Sequence, residues 1–270
     1  MTTEVLTSMR VAAPSGAGAA SVAALLPERL QGAVGECDRV AHPPATHPHP
    51  LAARVPLWDA HVQRLVDATH TMHRVDPAAW PTVLTADDVL ASRAVADVWA
   101  AAQNGPPLLR ASLRAGPHGE LRAITAPLGA PAAAPPRVRL DTHEPRLAGP
   151  LTCTKTTARA AYDEARARVG GTLGGSGACF DVLLWHADGG ERVVTESSIA
   201  NLVVAAPDGR LYTPAFGRLL PGLLVQELRR RGLVAERRIT AADLAAWAPT
   251  HTFYLCNAVR GMFEVSLQLS

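Results

Sequence analysis

Of the 26 basic side chains in this 270-residue chain, 25 are arginine and one, Lys155, is lysine. The two cations differ in chemistry. A guanidinium stays protonated, whereas a lysine amine can be desolvated, deprotonated and condensed with a carbonyl as a Schiff base. A chain that uses arginine wherever a cation suffices has kept one amine. A GC-rich coding bias gives the same count, so the lysine alone leaves both readings open. Two other stretches carry reactive or ligand-binding side chains at short spacing, and a third offers free backbone N–H groups at a helix start. Thr195-Glu196-Ser197-Ser198-Ile199-Ala200-Asn201 sets a carboxylate among hydroxyls and an amide after a strand. Leu219-Leu220-Pro221-Gly222-Leu223-Leu224 opens a helix, and Leu57-Trp58-Asp59-Ala60-His61-Val62-Gln63-Arg64-Leu65 puts His61 and Arg64 on one helical face.

Patterning predicts the elements that must position these groups. Glu4 to Val11 reads as a first strand. Residues 13–54 are rich in Pro, Gly, Ala and His and read as a long loop or insertion, with one short helix near Val22–Leu30. Trp58 to Arg74 has a helical period, with Trp58, Val62, Leu65, Val66, Thr69 and Met72 on one face. Thr85 and Asp88 form a capping-box pattern for a second helix that buries Val89, Val95, Val98 and Trp99. Strands follow near Leu108–Arg114 and Glu120–Ala126, joined by a Gly116–Gly119 turn. Residues 128–136 read as an interdomain linker.

Beyond the linker, Arg137–Leu140 reads as a strand, and a helix is expected just after Lys155. Gly170–Gly177 lacks both the Lys-Ser/Thr of a phosphate loop and the GxGxxG order, and reads as a flexible loop. A hairpin series follows: Phe180–Trp185, Arg192–Thr195, Ile199–Ala205 and Leu211-Tyr212, with Asp-Gly turns at Asp188 and Asp208. A helix is expected from Pro221 to about Arg231, a short one capped by Thr240 and Asp243, and a final buried strand over His251–Asn257.

Composition narrows the class. With 48% apolar and 19% charged residues, the chain can bury a core. A formal charge of +2, with basic residues scattered apart from Arg229-Arg230-Arg231, gives little support for a nucleic-acid surface. That triplet reads as a solvated helix end. Cys37, Cys153, Cys179 and Cys256 have no CxxC spacing and read as free thiols of a reducing, cytoplasmic compartment. No apolar run approaches a membrane span, and the first strand begins almost at once, so no targeting segment is expected. The His42, His47, His49 and Cys37 cluster is broken by prolines and matches no ligand spacing, so no metal is expected.

Lys155 before a helix, the Thr195–Asn201 run after a strand and the Leu219–Leu224 helix opening, in that order, resemble the fold-type IV pyridoxal-phosphate enzymes, the class IV aminotransferase family. The resemblance covers nearly the whole C-terminal half, with shorter matches at Glu4–Arg10 and Leu57–Leu65. It implies a two-domain α/β (α+β) fold: a small N-terminal α/β domain over 1–127 and a larger cofactor-binding domain over 137–270 built on a mixed or antiparallel barrel-like sheet. It also implies pyridoxal 5'-phosphate as cofactor, held covalently by Lys155, which then moves protons at the substrate. Glu196 would face the pyridine nitrogen and keep it protonated; alone, it reads equally as a solvated strand-end acid. The backbone N–H groups of Leu223 and Leu224 at a helix start, and Arg64, would bind the phosphate. Asn201 would order the loop after Glu196.

Within the family, Leu255-Cys256-Asn257-Ala258-Val259-Arg260-Gly261 and Asp59–Leu65 look most like the 4-amino-4-deoxychorismate lyase branch, where transaminases usually carry a Gly-Thr-Ala type turn. That likeness implies elimination of pyruvate from aminodeoxychorismate to leave 4-aminobenzoate, a folate precursor. Ser8 falls where the branch carries a hydroxyl that assists proton transfer, and Asn257 would contact substrate or cofactor. Val225 stands where many relatives carry an arginine, so Arg10 or Arg260 would bind a substrate carboxylate instead. A transaminase for D- or branched-chain amino acids, or a binding protein that keeps the fold without turnover, are the alternatives. A homodimer is implied, since family members close each active site with the partner subunit.

Overall fold

The structure, a computed structural model, describes residues 3–13, 21–31, 49–130, 132–146, 152–173 and 179–268. Most of the expected 13–54 insertion, with Cys37, His42 and His47, lies outside the described residues, as do Leu151 and the 174–177 part of the glycine-rich loop. The chain divides into two units, Met1–Ala130 with Gly149–Ala158, and Pro131–Ala148 with Arg159–Ser270.

In the first unit, β1 (Val5–Ala12), β2 (Leu108–Ala115) and β3 (Leu121–Pro127) form an antiparallel sheet in the order β1-β2-β3. Helices α1 (Trp58–Val75), α2 (Ala86–Leu90) and α3 (Arg93–Asn104) complete it, with α1 packing on β1 and α3 on β3. The helical face expected for α1 is buried throughout, together with His61 and Ala68. Val62 and Leu65 meet Met9, Val11, Val95, Val98 and Leu113 in one core, where each such side chain stabilises by roughly 1.5–3 kcal/mol. Thr85 and Asp88 form the expected capping box, but the helix they open ends at Leu90. Ser92 then caps a separate helix by accepting from Val95 N while its hydroxyl donates to Val89 O, 2.6 Å, so the expected second helix is two.

The second unit contains β4 (Arg137–Leu140), α4 (Ala160–Arg168), β5 (Asp181–Asp188), β6 (Glu191–Ser197), β7 (Asn201–Ala205), β8 (Leu211–Pro214), α5 (Leu223–Arg230), β9 (Val234–Arg237), α6 (Ala241–Trp247), β10 (Thr252–Asn257) and β11 (Gly261–Gln268). Strands pair in the order β10-β11-β4-β5-β6-β7, and pairing of β7 with β10 closes a six-stranded barrel that β8 and β9 extend. Pairings β11–β4, β4–β5 and β8–β9 are parallel and the others antiparallel, as a mixed barrel-like sheet requires. Val138, Leu183, Val194, Leu202, Val204, Phe253, Leu255 and Val265 share its core. Two strands were not expected: β9, and β11 beyond what reads as the final strand. Helix α5 starts at Leu223 rather than Pro221, for a reason given below. Among the described residues no helix is long and apolar enough to cross a membrane.

The division differs from a cut at residues 128–136 in one respect. The segment around Lys155 belongs with the first unit because it pairs with the open edge of β1. Leu6 N donates to Lys155 O at 2.8 Å, Thr157 N to Glu4 O at 2.9 Å, and Glu4 N to the Thr157 hydroxyl at 2.9 Å. An antiparallel bridge joins Val5 to Thr156. Lys155 therefore sits in an extended strap, and the helix expected just after it begins at Ala160.

Candidate active site

Two groups of polar side chains are built into the core, one in each unit. In the first, alternation along β1 puts Val5, Thr7, Met9 and Val11, all 0% exposed, on the face that meets α1. Thr7 is the polar member of that apolar row. Its hydroxyl lies 2.7 Å from Nδ1 of His61, which α1 supplies from its buried side. His61 is 1% exposed, and its Nε2 has no hydrogen-bond partner among the described residues. Burial first, then the Arg64 guanidinium and the Lys155 ammonium, push the imidazole down from 6.5 to about 3, so it is neutral at physiological pH. Arg64 follows one turn later on the same face of α1.

The bridge between Val5 and Thr156 sets the register of the strap, placing Lys155 opposite Leu6. Directly opposed residues share a face, so Lys155 starts from the side of β1 that carries Ser8 and Arg10. The Ser8 hydroxyl is 3.3 Å from that of Ser112, its register partner on β2. Arg10 Nη1 donates to Ala24 O at 3.1 Å, and burial lowers the pKa of its guanidinium. The first unit thus brings Lys155, Ser8 and Arg10 to one face of its sheet, and Thr7 and His61 to the other.

In the second unit, Glu196 is the penultimate residue of β6 and is buried. One of its oxygens accepts from the Tyr162 hydroxyl of α4 and from Leu220 N, each at 3.1 Å, which fixes the carboxylate from two sides. The residues after it form a tight turn. Ser197 N donates to Ala200 O at 2.7 Å, while the Ser197 hydroxyl accepts from Ile199 N and Ala200 N at 3.3 and 3.0 Å. Ser198 donates its hydroxyl to buried Asp181 and accepts from Arg166 Nε at 3.0 Å, and its carbonyl accepts from Arg159. Burial raises the Asp181 carboxyl despite those donors. The hydroxyls of the Thr195–Asn201 run therefore hold the turn that aims Glu196.

Asn201 opens β7 directly opposite Glu196. Its Nδ2 donates to Leu220 O at 2.9 Å and its Oδ1 accepts from Gly222 N at 3.0 Å. That bracket holds residues 220–222 extended, so α5 starts after Gly222 and Pro221 stays outside it. A Cβ on Gly222 would fall 2.0 Å from Asn201 Oδ1, so only glycine fits. No side chain caps α5, in contrast to Thr85, Ser92 and Thr240, which cap their own helices. Its first-turn N–H groups and the positive end of its dipole suit an anion. Leu224 is fully buried in the core, so any ligand role of that residue is through its backbone, and Val225 is buried too.

Asn257 ends β10 and builds the following turn. Its Oδ1 accepts from Val259 N and Arg260 N at 3.0 and 2.8 Å, and Nδ2 donates to Ile199 O at 3.3 Å. Both lone pairs of its oxygen are thereby used within the protein, and one N–H remains for a ligand. Arg260 is exposed and lies over the Phe180 ring, 5.9 Å from its centroid. Sequence reasoning missed Thr7, Tyr162 and the burial of His61. A hydroxyl inside the apolar alternation of β1 was the one signal that pointed to the first.

The class IV amino-transferase family model matches residues 51–267. The chain belongs to the class IV aminotransferase family. Solved structures share its fold at low identity. A Mesorhizobium loti protein provisionally assigned as an amino-acid aminotransferase is 20% identical, with 98% of this chain and 100% of that chain covered and a TM-score of 0.67. A Legionella pneumophila protein provisionally assigned as a 4-amino-4-deoxychorismate lyase is 16% identical over 98% of this chain and 82% of that one, with a TM-score of 0.61. A Mycobacterium tuberculosis protein described as a hypothetical aminotransferase, solved with pyridoxal phosphate bound, is 20% identical over 80% of this chain and 77% of that one, with a TM-score of 0.57. No curated protein matches the chain.

Class IV aminotransferases depend on pyridoxal 5'-phosphate, and the residues of this class IV chain fit that group. In the first unit Lys155 would supply the amine, and the buried Nε2 of His61, one turn from Arg64, lacks a partner among the described residues; in the second, Glu196 is a buried acid held by Tyr162 and Leu220.

Proposed function

We propose that the chain is a 4-amino-4-deoxychorismate lyase, releasing pyruvate and leaving 4-aminobenzoate, and that it works as a homodimer. The turn after β10, built on Asn257 with Arg260 held by its backbone, carries this reading, because it is where the lyase and transaminase branches differ. Lyase assignments among the structural relatives that cover nearly all of this chain support it.

In the proposed reaction, Lys155 binds the cofactor through Nζ and then takes the proton from the ring carbon of the substrate. Glu196 keeps the pyridine nitrogen protonated, an office suited to a carboxylate whose position Tyr162 and Leu220 fix. The bound cofactor supplies an electron sink for the carbanion that develops. Arg64 and the N–H groups of Leu223 and Leu224 bind the phosphate. Arg10 or Arg260 orients a substrate carboxylate, and the Ser8 hydroxyl assists proton movement at the eliminating carbon. As the ring C–H bond breaks, its electrons aromatise the ring and expel the enolpyruvyl oxygen, and a returned proton completes pyruvate. Aromatisation supplies much of the driving force, so the protein chiefly positions groups.

The test is release of pyruvate from aminodeoxychorismate by the holoenzyme, with Lys155→Arg as control. Pyruvate release that survives Lys155→Arg sinks the mechanism. A transaminase reading is favoured by the full-length likeness to the Mesorhizobium loti protein. It predicts interconversion of pyridoxal and pyridoxamine forms with a keto acid, without pyruvate elimination. Gel filtration showing monomer alone at working concentration contradicts the dimer.

A further inference from the structure

His61 has a hydrogen-bonding capacity that none of the described residues uses. Its Nδ1 is 2.7 Å from the Thr7 hydroxyl, and that imidazole nitrogen is the partner found for Thr7 Oγ1. Thr7 is 0% exposed, so its hydroxyl proton has no water to bond and goes to Nδ1. Nδ1 is then the acceptor, and the ring proton sits on Nε2. Nε2–H is consequently a buried donor with no acceptor among the described residues. An unmade bond of this kind is costly, so it marks a place that something else completes.

The surroundings say what that is. The charges that act on the imidazole are Arg64, one turn along the same helix face, and then Lys155. The Arg64 cation and the neutral donor one turn before it are together complementary to an anion, whose oxygens accept from both, while Lys155 adds favourable charge. A cationic histidine would add charge, but burial beside two other cations keeps it neutral, so its donor is present at any pH at which the protein works. We propose that His61 is a positioning residue of the phosphate subsite, donating its Nε2–H to an oxygen of the phosphate monoester that Arg64 also binds. Thr7 fixes the tautomer that makes this possible. The inference rests on the proposed role of Arg64.

The test uses the full-length holoenzyme as wild type, His61→Gln, which keeps a donor near the Nε2 position, and His61→Phe, which keeps the ring without nitrogen. Release of pyridoxal phosphate during a chase is followed, alongside binding of pyridoxal, which lacks the phosphate. His61→Phe is expected to speed release roughly 10- to 100-fold, and His61→Gln to stay within about threefold of wild type. Pyridoxal affinity is expected to be the same in all three. Selective ¹⁵N-histidine labelling of the wild-type holoenzyme should find the ring proton on Nε2, with a coupling to the cofactor phosphorus. That measurement decides the matter even if His61→Phe fails to fold. A proton on Nδ1, unchanged release in His61→Phe, or an equal loss of pyridoxal binding overturns the inference. If wild type retains no cofactor at Lys155, the functional reading falls as well; if it does and release is unchanged, this inference falls alone.

Discussion

The polar groups around His61 in the first unit and around Glu196 in the second are both buried, yet they are finished to different degrees. Around Glu196 the protein supplies its own partners: Tyr162 and Leu220 hold the acid, Asn201 brackets residues 220–222, and the Ser197 turn closes the approach. Around His61 one bond is made and, among the described residues, one is missing. A satisfied network fixes a geometry in advance, whereas an unsatisfied buried donor stores a penalty that a ligand removes. The second group reads as preorganisation, the first as recognition.

Substitutions can break that contrast or sharpen it. The largest effect is expected from Glu196→Ala, which should cut the proposed pyruvate release roughly 10²-fold or more. A circular dichroism melt beside the assay separates lost activity from lost fold. Gly222→Ala should come next, because its Cβ would strike Asn201 Oδ1; overpacking of this kind costs about 1–3 kcal/mol in a denaturant titration. Asn201→Ala leaves Leu220 O and Gly222 N without their partner, again about 1–3 kcal/mol. If the bracket is a unit, the Asn201→Ala and Gly222→Ala losses will not add, because the first removes the atom that the second strikes. Additive losses would mean that the bracket does not act as one.

The smallest expected effect is a pH slope. His61 is neutral in the fold down to about pH 3 but protonates near 6.5 once unfolded. Between those values the unfolded chain binds the extra proton, so stability is full above pH 6.5 and falls as pH drops through that window. The slope approaches about 1.4 kcal/mol per pH unit. Unfolding midpoints of wild type and His61→Gln at pH 7.5, 6 and 5 should converge on acidification. Parallel lines would show that His61 is not a buried neutral base.

Local patterns made much of the architecture legible. The 3.6-residue period of α1 marked its buried face, the Thr85/Asp88 and Thr240/Asp243 pairs marked two helix starts, and the Asp-Gly turns marked hairpins. What escaped depends on distant partners. β9 is four residues with one buried side chain and forms only by parallel pairing with β8. β11 breaks strict alternation, and its place in the sheet comes from distant pairing with β10 and β4. In the site, chemistry-bearing residue types were visible, but their supports were not. His61 shows in sequence only as a helix position, and its tautomer depends on Thr7, 54 residues earlier. Asn201 was expected to order the loop after Glu196; that its side chain also sets where α5 begins was not visible locally.

The strap at residues 155–157 has a consequence for dissecting the molecule. It covers an edge of β1 that would otherwise present the Leu6 amide and Glu4 carbonyl to solvent. A fragment cut at the linker would carry that edge uncapped, and bare edges invite strand-to-strand association. Such a piece should recover a monodisperse state when a synthetic peptide spanning 152–158 is added. The amine-bearing stretch would then act as a detachable selvage, finishing a fabric woven from the opposite end of the polypeptide.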